Sequence, residues 1–162
     1  MAFQVMATRE SPSGGDEPQV REGDPPATRP LRVFVVENHT DTREFLTFLL
    51  EDLGHTVIVA DSMRKALLEA PAANPEVLIS DIGLPDGDGW ELLSKLALPR
   101  PAYAIAMSGF GMLADRVRSK AVGYRHHLVK PMGLEQLEGI LHEAGEELRT
   151  GSCSNDGGQG RN

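Results

Sequence analysis

Residues 76–90, Glu-Val-Leu-Ile-Ser-Asp-Ile-Gly-Leu-Pro-Asp-Gly-Asp-Gly-Trp, decide how this chain folds. The apolar run Val77-Leu78-Ile79 leads straight into Asp81. A turn-forming segment with Pro85, Gly87 and Gly89 follows, and Trp90, Leu92, Leu93 and Leu96 then repeat at helical spacing. That order spells a buried strand, an acidic residue at its carboxyl end, a loop and a helix. Open α/β sheets bind ligands at the carboxyl ends of their strands, so Asp81 stands where chemistry is expected.

The same alternation extends to both sides. Residues 31–36 form a near-continuous apolar run of the kind a parallel sheet buries on both faces. A helix is expected over 40–53, with Phe45, Leu46, Leu49, Leu50 and Leu53 on one face and Gly54 as its cap. A second strand follows over 55–60. Ser62 then caps a short helix expected to end near Ala70, ahead of Pro71. After the central stretch come a helix over about 89–98, a strand over 102–107 and a helix near 111–120. The chain closes with a short strand over 124–129 and a helix over 134–148. Strict alternation predicts a doubly wound α/β domain: a five-stranded parallel sheet with right-handed crossovers and helices on both faces.

Composition bounds the function. With 162 residues and 40% hydrophobic content the chain has room for one domain with a real core. A net charge of −8 argues against a general nucleic-acid binder, which needs a basic stripe. No apolar run approaches the ~18–20 residues that span a bilayer, so no membrane partner is expected. No signal peptide is visible at the N-terminus. The single Cys153 has no internal partner, and a reducing, cytoplasmic setting is the plain reading. Residues 1–30 read as a disordered N-terminal tail and 150–162 as a flexible C-terminal tail, leaving 31–149 as the folded domain.

The strand ends carry the chemistry. They are Glu37-Asn38, Asp81, Ser108-Gly109 and Lys130-Pro131, which together bring two carboxylates, an amide, a hydroxyl and an ammonium to one edge. No glycine-rich phosphate loop follows the first strand, which disfavours a nucleotide site or a flavodoxin-like cofactor binder.

This set resembles the receiver domain of two-component response regulators. The matching pieces are VFVVEN at 33–38, LISDIGLPDGDGWELL at 78–93, IAMSG at 105–109 and HLVKP at 127–131. The resemblance implies a CheY-like, flavodoxin-like sheet of order 2-1-3-4-5. It implies that Asp81 accepts a phosphoryl group from a histidine kinase or a histidine phosphotransfer protein. Ser108 and Lys130 would steady the transferred group, and a Mg²⁺ cofactor would sit on Glu37, Asn38, Asp81 and the Gly83 carbonyl. The Lys130–Pro131 bond is expected to be cis. The chain would then be no enzyme in its own right, but a phosphoacceptor that assists its own phosphotransfer. It would be a single-domain regulator signalling through contacts with a downstream protein of unknown identity.

Several residues depart from that pattern. The second residue of the acidic pair is Asn38, so one charge is missing from the cation site. The alternative reading is therefore a degenerate receiver that binds partners without phosphorylation. His127 stands where the family carries an aromatic switch residue, while His126 should face the other side of the sheet. His39 reads as a solvated loop residue rather than a metal ligand. Gly83 has no side chain to orient water and Phe110 is placed to shield phosphorus, which predicts slow self-dephosphorylation. Asp86 and Asp88 read as turn and helix-start residues. Met112, Leu113 and Val117 read as core or as a partner face.

Overall fold

The computed structural model describes residues 29–151. The two tails lie mostly outside them. Within that span β1 (Arg32–Val36), β2 (Thr56–Ala60), β3 (Val77–Asp81), β4 (Tyr103–Ser108) and β5 (His126–Val129) form one parallel sheet. Its strand order is β2-β1-β3-β4-β5, as the resemblance to receivers implies. Five helices connect or follow the strands: α1 (Thr40–Asp52), α2 (Met63–Ala73), α3 (Gly89–Lys95), α4 (Leu113–Val122) and α5 (Leu134–Gly151).

Alternate side chains along the central strands supply two cores. Val33, Val35, Val77, Ile79, Ile105 and Met107 face α1 and α5. Phe34, Val36, Leu78, Ala104 and Ala106 face α2 and α3. Every residue of β3 and β4 is buried, which is why those strands lack a polar face.

Most element ends fall within a residue or two of the sequence reading, and the larger differences are these. Helix α2 runs through Pro71 to Ala73 rather than ending before the proline. Proline in the last turn removes only one backbone donor. Asn74, in the left-handed region at φ 46°, then closes the helix by donating its N–H to the Ala70 carbonyl. The loop after β3 contains a two-residue antiparallel ladder pairing Gly83 with Asp88 and Leu84 with Gly87. Helix α3 stops at Lys95, and α5 continues two residues into the stretch read as tail.

That small ladder turns the chain back beneath the end of β3. Gly89 is required there: a Cβ would lie 2.6 Å from the Asp81 carbonyl oxygen. Asp88 caps α3, accepting from the Glu91 N–H at 2.7 Å. Asp86 instead reaches across to the start of α2 and accepts from Met63 and Arg64 N–H, each at 2.8 Å. Both acidic residues serve helix N-termini, one of them not its own.

Candidate functional site

Glu37, Asp81 and Lys130 converge at the carboxyl edge of the sheet, one from each of three strand ends. Lys130 Nζ donates to Asp81 Oδ2 at 2.8 Å and to Glu37 Oε2. Glu37 is fully buried and Asp81 is 5% exposed, a placement that two carboxylates tolerate only when paired. Burial opposes charge on Glu37, but hydrogen bonds from Lys130 and His39 outweigh it and hold the carboxyl below its usual range. Burial likewise opposes charge on Lys130, and its bonds to Asp81 and Glu37 lift it above its ordinary value. Glu37 and Lys130 therefore both carry charge at neutral pH. The Lys130–Pro131 bond is cis.

The remaining acceptor positions are also organised. Gly83 N–H donates to Asp81 Oδ1 at 3.0 Å, fixing the carboxylate plane. Arg43 Nη1 donates to the Glu37 carbonyl at 2.9 Å and reaches the Asn38 carbonyl at 3.4 Å, tying the end of β1 to α1. His39 bonds Glu37 Oε1 twice, through its backbone N–H at 2.9 Å and its ring Nδ1 at 3.0 Å. Its side chain is 67% exposed, so it is solvated as expected, yet it is not remote from the site.

Asn38 Oδ1 is buried and has no partner among the described residues. Such an oxygen costs free energy unless something binds it. Glu37, His39 and Asp81 each bring a donor atom, all within 4.8 Å of one another. Two carboxylates, with a buried orphaned oxygen on the residue that follows Glu37, make a donor set whose chemistry fits a divalent cation.

A second network begins at Ser108. Its hydroxyl donates to the Phe110 carbonyl, and its oxygen lies 2.7 Å from His127 Nε2. His127 Nδ1 is 2.8 Å from Ser119 Oγ on α4, and Trp90 Nε1–H on α3 donates to that oxygen at 2.9 Å. Because the Ser108 proton goes to Phe110, Nε2 must be the donor to Ser108. A neutral imidazole then accepts at Nδ1 from Ser119, whose oxygen takes the indole N–H. Every donor points the same way, from Trp90 to Phe110. Burial first, and then Arg116, push the His127 pKa below its ordinary 6.5, which keeps the ring neutral.

His126 faces the opposite side, as strand alternation requires. Its ring lies 2.9 Å from the Tyr103 hydroxyl and 3.5 Å from Glu143 on α5.

The two networks meet at a cleft of about 560 Å³ that His39, Asp81, Gly83, Ser108, Phe110 and Lys130 line. Ser108 thus shares space with Asp81, although its hydroxyl is committed to Phe110 and His127. Met112, Leu113 and Val117 lie on the surface at 67%, 77% and 61% exposure, so they are not core. Trp90 and Ser119 are the members that sequence reasoning missed, because no spacing rule joins residues 29 apart.

Comparison with known proteins places this geometry. The family model described as the response regulator receiver domain matches residues 33–142. The KDP operon transcriptional regulatory protein KdpE of Escherichia coli is 34% identical over 112 residues, covering 69% of this chain and 50% of that protein. An uncharacterized 14.6 kDa protein of Leptolyngbya boryana is 35% identical over 105 residues, covering 63% of this chain and 80% of its own length. Thus the chain spans about half the length of the transcriptional regulators it matches. A CheY-like receiver domain protein of Methanospirillum hungatei superposes with TM-score 0.70 at 26% identity, covering 75% of this chain and 98% of that one. The chemotaxis protein CheY4 of Vibrio cholerae gives 0.67 at 26% identity, covering 71% and 98%. Among the described residues no helix is long and apolar enough to cross a membrane.

Proposed function

The chain belongs to the response regulator receiver domain family, and from that membership we propose that Asp81 accepts a phosphoryl group from a histidine kinase or a histidine phosphotransfer protein. The observation that carries this reading is the Lys130 ammonium 2.8 Å from Asp81, within a cleft that Ser108 also lines. In the transfer, an Asp81 oxygen forms a bond to phosphorus as the donor's phosphorus–nitrogen bond breaks. The departing imidazole takes up a proton. Charge spreads over the phosphoryl oxygens, so catalysis is positioning and charge neutralisation.

Lys130 holds Asp81 and neutralises one phosphoryl oxygen. The Ser108 hydroxyl turns from Phe110 to donate to another. When bound, a divalent cation, Mg²⁺ on the family pattern, supplies further charge neutralisation, held by Glu37, Asn38, Asp81 and the Gly83 carbonyl. The protein assists its own phosphorylation and turns over no substrate of its own. Gly83 leaves nothing to orient an attacking water, and Phe110 on the cleft wall screens phosphorus, so the phosphoryl group is long-lived.

Output runs to α4, because recruiting Ser108 pulls the far end of the chain that reaches Ser119 and Trp90. The signal then passes to a protein that contacts α4, β5 and α5.

Intact mass after incubation with a small-molecule phosphodonor and Mg²⁺ tests this reading. One added phosphoryl group is expected, absent from Asp81→Asn. A second reading, a module that binds partners without phosphorylation, draws on Asn38, which leaves the cation site one charge short. It prevails when no adduct forms and beryllofluoride leaves Trp90 fluorescence unchanged.

A further inference from the structure

The segment Glu37-Asn38-His39 offers a cation more than oxygen. Lys130 engages Glu37 Oε2, which leaves Oε1 facing the His39 ring. Two donors about 2.1 Å from one metal, at adjacent octahedral positions, lie about 3.0 Å apart. His39 Nδ1 and Glu37 Oε1 are 3.0 Å apart. As it stands that contact is a hydrogen bond, and a cation would displace the shared proton while both atoms keep their places. His39 also lines the same cleft as Asp81, and its exposed ring turns at little cost.

The donor set explains why the nitrogen matters. With Asn38 as an amide, the site offers two anionic side chains rather than three, and a hard cation held by charge alone is bound less tightly. On the family pattern Asn38 Oδ1, buried and without a partner among the described residues, would add only a neutral oxygen. An imidazole adds a ligand that suits manganese, iron, cobalt, nickel or zinc, whereas Mg²⁺ favours oxygen. Loss of charge and gain of nitrogen push selectivity in one direction.

We propose that His39, 3.0 Å from Glu37 Oε1 at the mouth of the Asp81 cleft, supplies a nitrogen donor to the cation site, which therefore prefers a divalent transition-metal cation to Mg²⁺. This rests on Asp81 being the cation-assisted phosphoacceptor, and it names the cation.

The test is calorimetric titration of the full chain with Co²⁺ and separately with Mg²⁺, for the unmodified protein, His39→Ala and Asp81→Asn. Co²⁺ should bind about tenfold or more tightly than Mg²⁺ in the unmodified protein. His39→Ala should lower that ratio about fivefold or more while leaving Mg²⁺ affinity within about twofold. Asp81→Asn should weaken both cations, which separates this site from other histidines and Cys153. An unchanged ratio in His39→Ala, or an equal loss for both cations, overturns the proposal and leaves His39 as a prop for Glu37. Intact mass in Mg²⁺ on the same samples reads the phosphoacceptor role separately. An adduct with no His39-dependent preference removes this inference alone. Absence of both adduct and Mg²⁺ binding, with Co²⁺ insensitive to His39, removes both.

Discussion

Helices α4 and α5 flank the same edge strand, β5, and they are held by opposite means. Helix α5 buries Leu137, Ile140, Leu141, Ala144 and Gly145 against the core it shares with α1. Helix α4 buries Ser119 alone, and leaves Leu113 and Val117 in solvent. Apolar burial is insensitive to a new charge at the strand ends, whereas a hydrogen-bonded anchor that begins at Ser108 is not. On the proposed function, a phosphoryl group at Asp81 acts on the second kind of contact and not on the first. Here the difference between the two helices is one of bonding type.

The largest effect should come from emptying the α5 contact. Leu141→Ala removes a side chain that is 1% exposed and should cost about 2–5 kcal/mol in urea unfolding. Leu113→Ala on α4, at 77% exposure, should change stability by less than about 0.5 kcal/mol. Equal costs would mean that α4 is packed as α5 is, and the contrast would fail.

Next comes the anchor itself. Ser119→Ala leaves His127 Nδ1 and Trp90 Nε1 without their shared partner, at a cost of about 1 kcal/mol since both groups stay within reach of water. Its functional effect should be larger than its structural one. Trp90 is the only tryptophan, and its fluorescence should respond to beryllofluoride in the unmodified protein and not in Ser119→Ala. Phosphorylation of Asp81 should persist in both. A preserved fluorescence response in Ser119→Ala would place the coupling outside this chain of bonds.

The charged half of the site was legible in the sequence and the neutral half was not. Glu37, Asp81 and Lys130 follow apolar runs, so strand periodicity alone sends them to one edge. The chain from Trp90 to Phe110 joins α3, α4, β5 and the loop after β4, and its links depend on how helices pack. Ser119 looked like any polar helix residue, and its 1% exposure is a tertiary fact. Pro71 misled for a related reason: its local cost is real, but a last-turn position with Asn74 behind it absorbs that cost. His39 is exposed, and its contact with Glu37 depends on the turn into α1, which no sequence pattern shows.

Acid offers a gentler probe of the α4 anchor. The His127 pKa is lowered in the folded protein, so the unfolded chain binds the proton more readily. The neutral ring contributes fully above pH 6.5, and that contribution is lost as pH falls from 6.5 toward the folded value. Protonation places a second donor on Nδ1 and forces the Ser119 hydroxyl to turn away. Arg116 opposes that protonation and Asp115 favours it. Trp90 fluorescence should therefore change on acidification below pH 6.5, and His127→Phe should abolish the change. Buried His55 is shifted the same way, so stability alone would not separate the two. A His127→Phe protein that retains the fluorescence transition would assign it to a group other than His127.

The smallest effect should come from the outer face of α4. Val117 is 61% exposed, and Val117→Ser should move stability by less than about 0.5 kcal/mol. It should also leave the Trp90 response intact, because no bond in the chain from Ser108 to Trp90 passes through residue 117. A helix anchored on one side only must be indifferent to changes on the other while no partner is bound. Loss of the Trp90 response in Val117→Ser would show that the outer face contributes to α4's position. The contacts of α4 with α3, Ser119 with the Trp90 indole N–H and Arg118 4.0 Å over the Trp90 ring, would then be an incomplete description of what holds this helix.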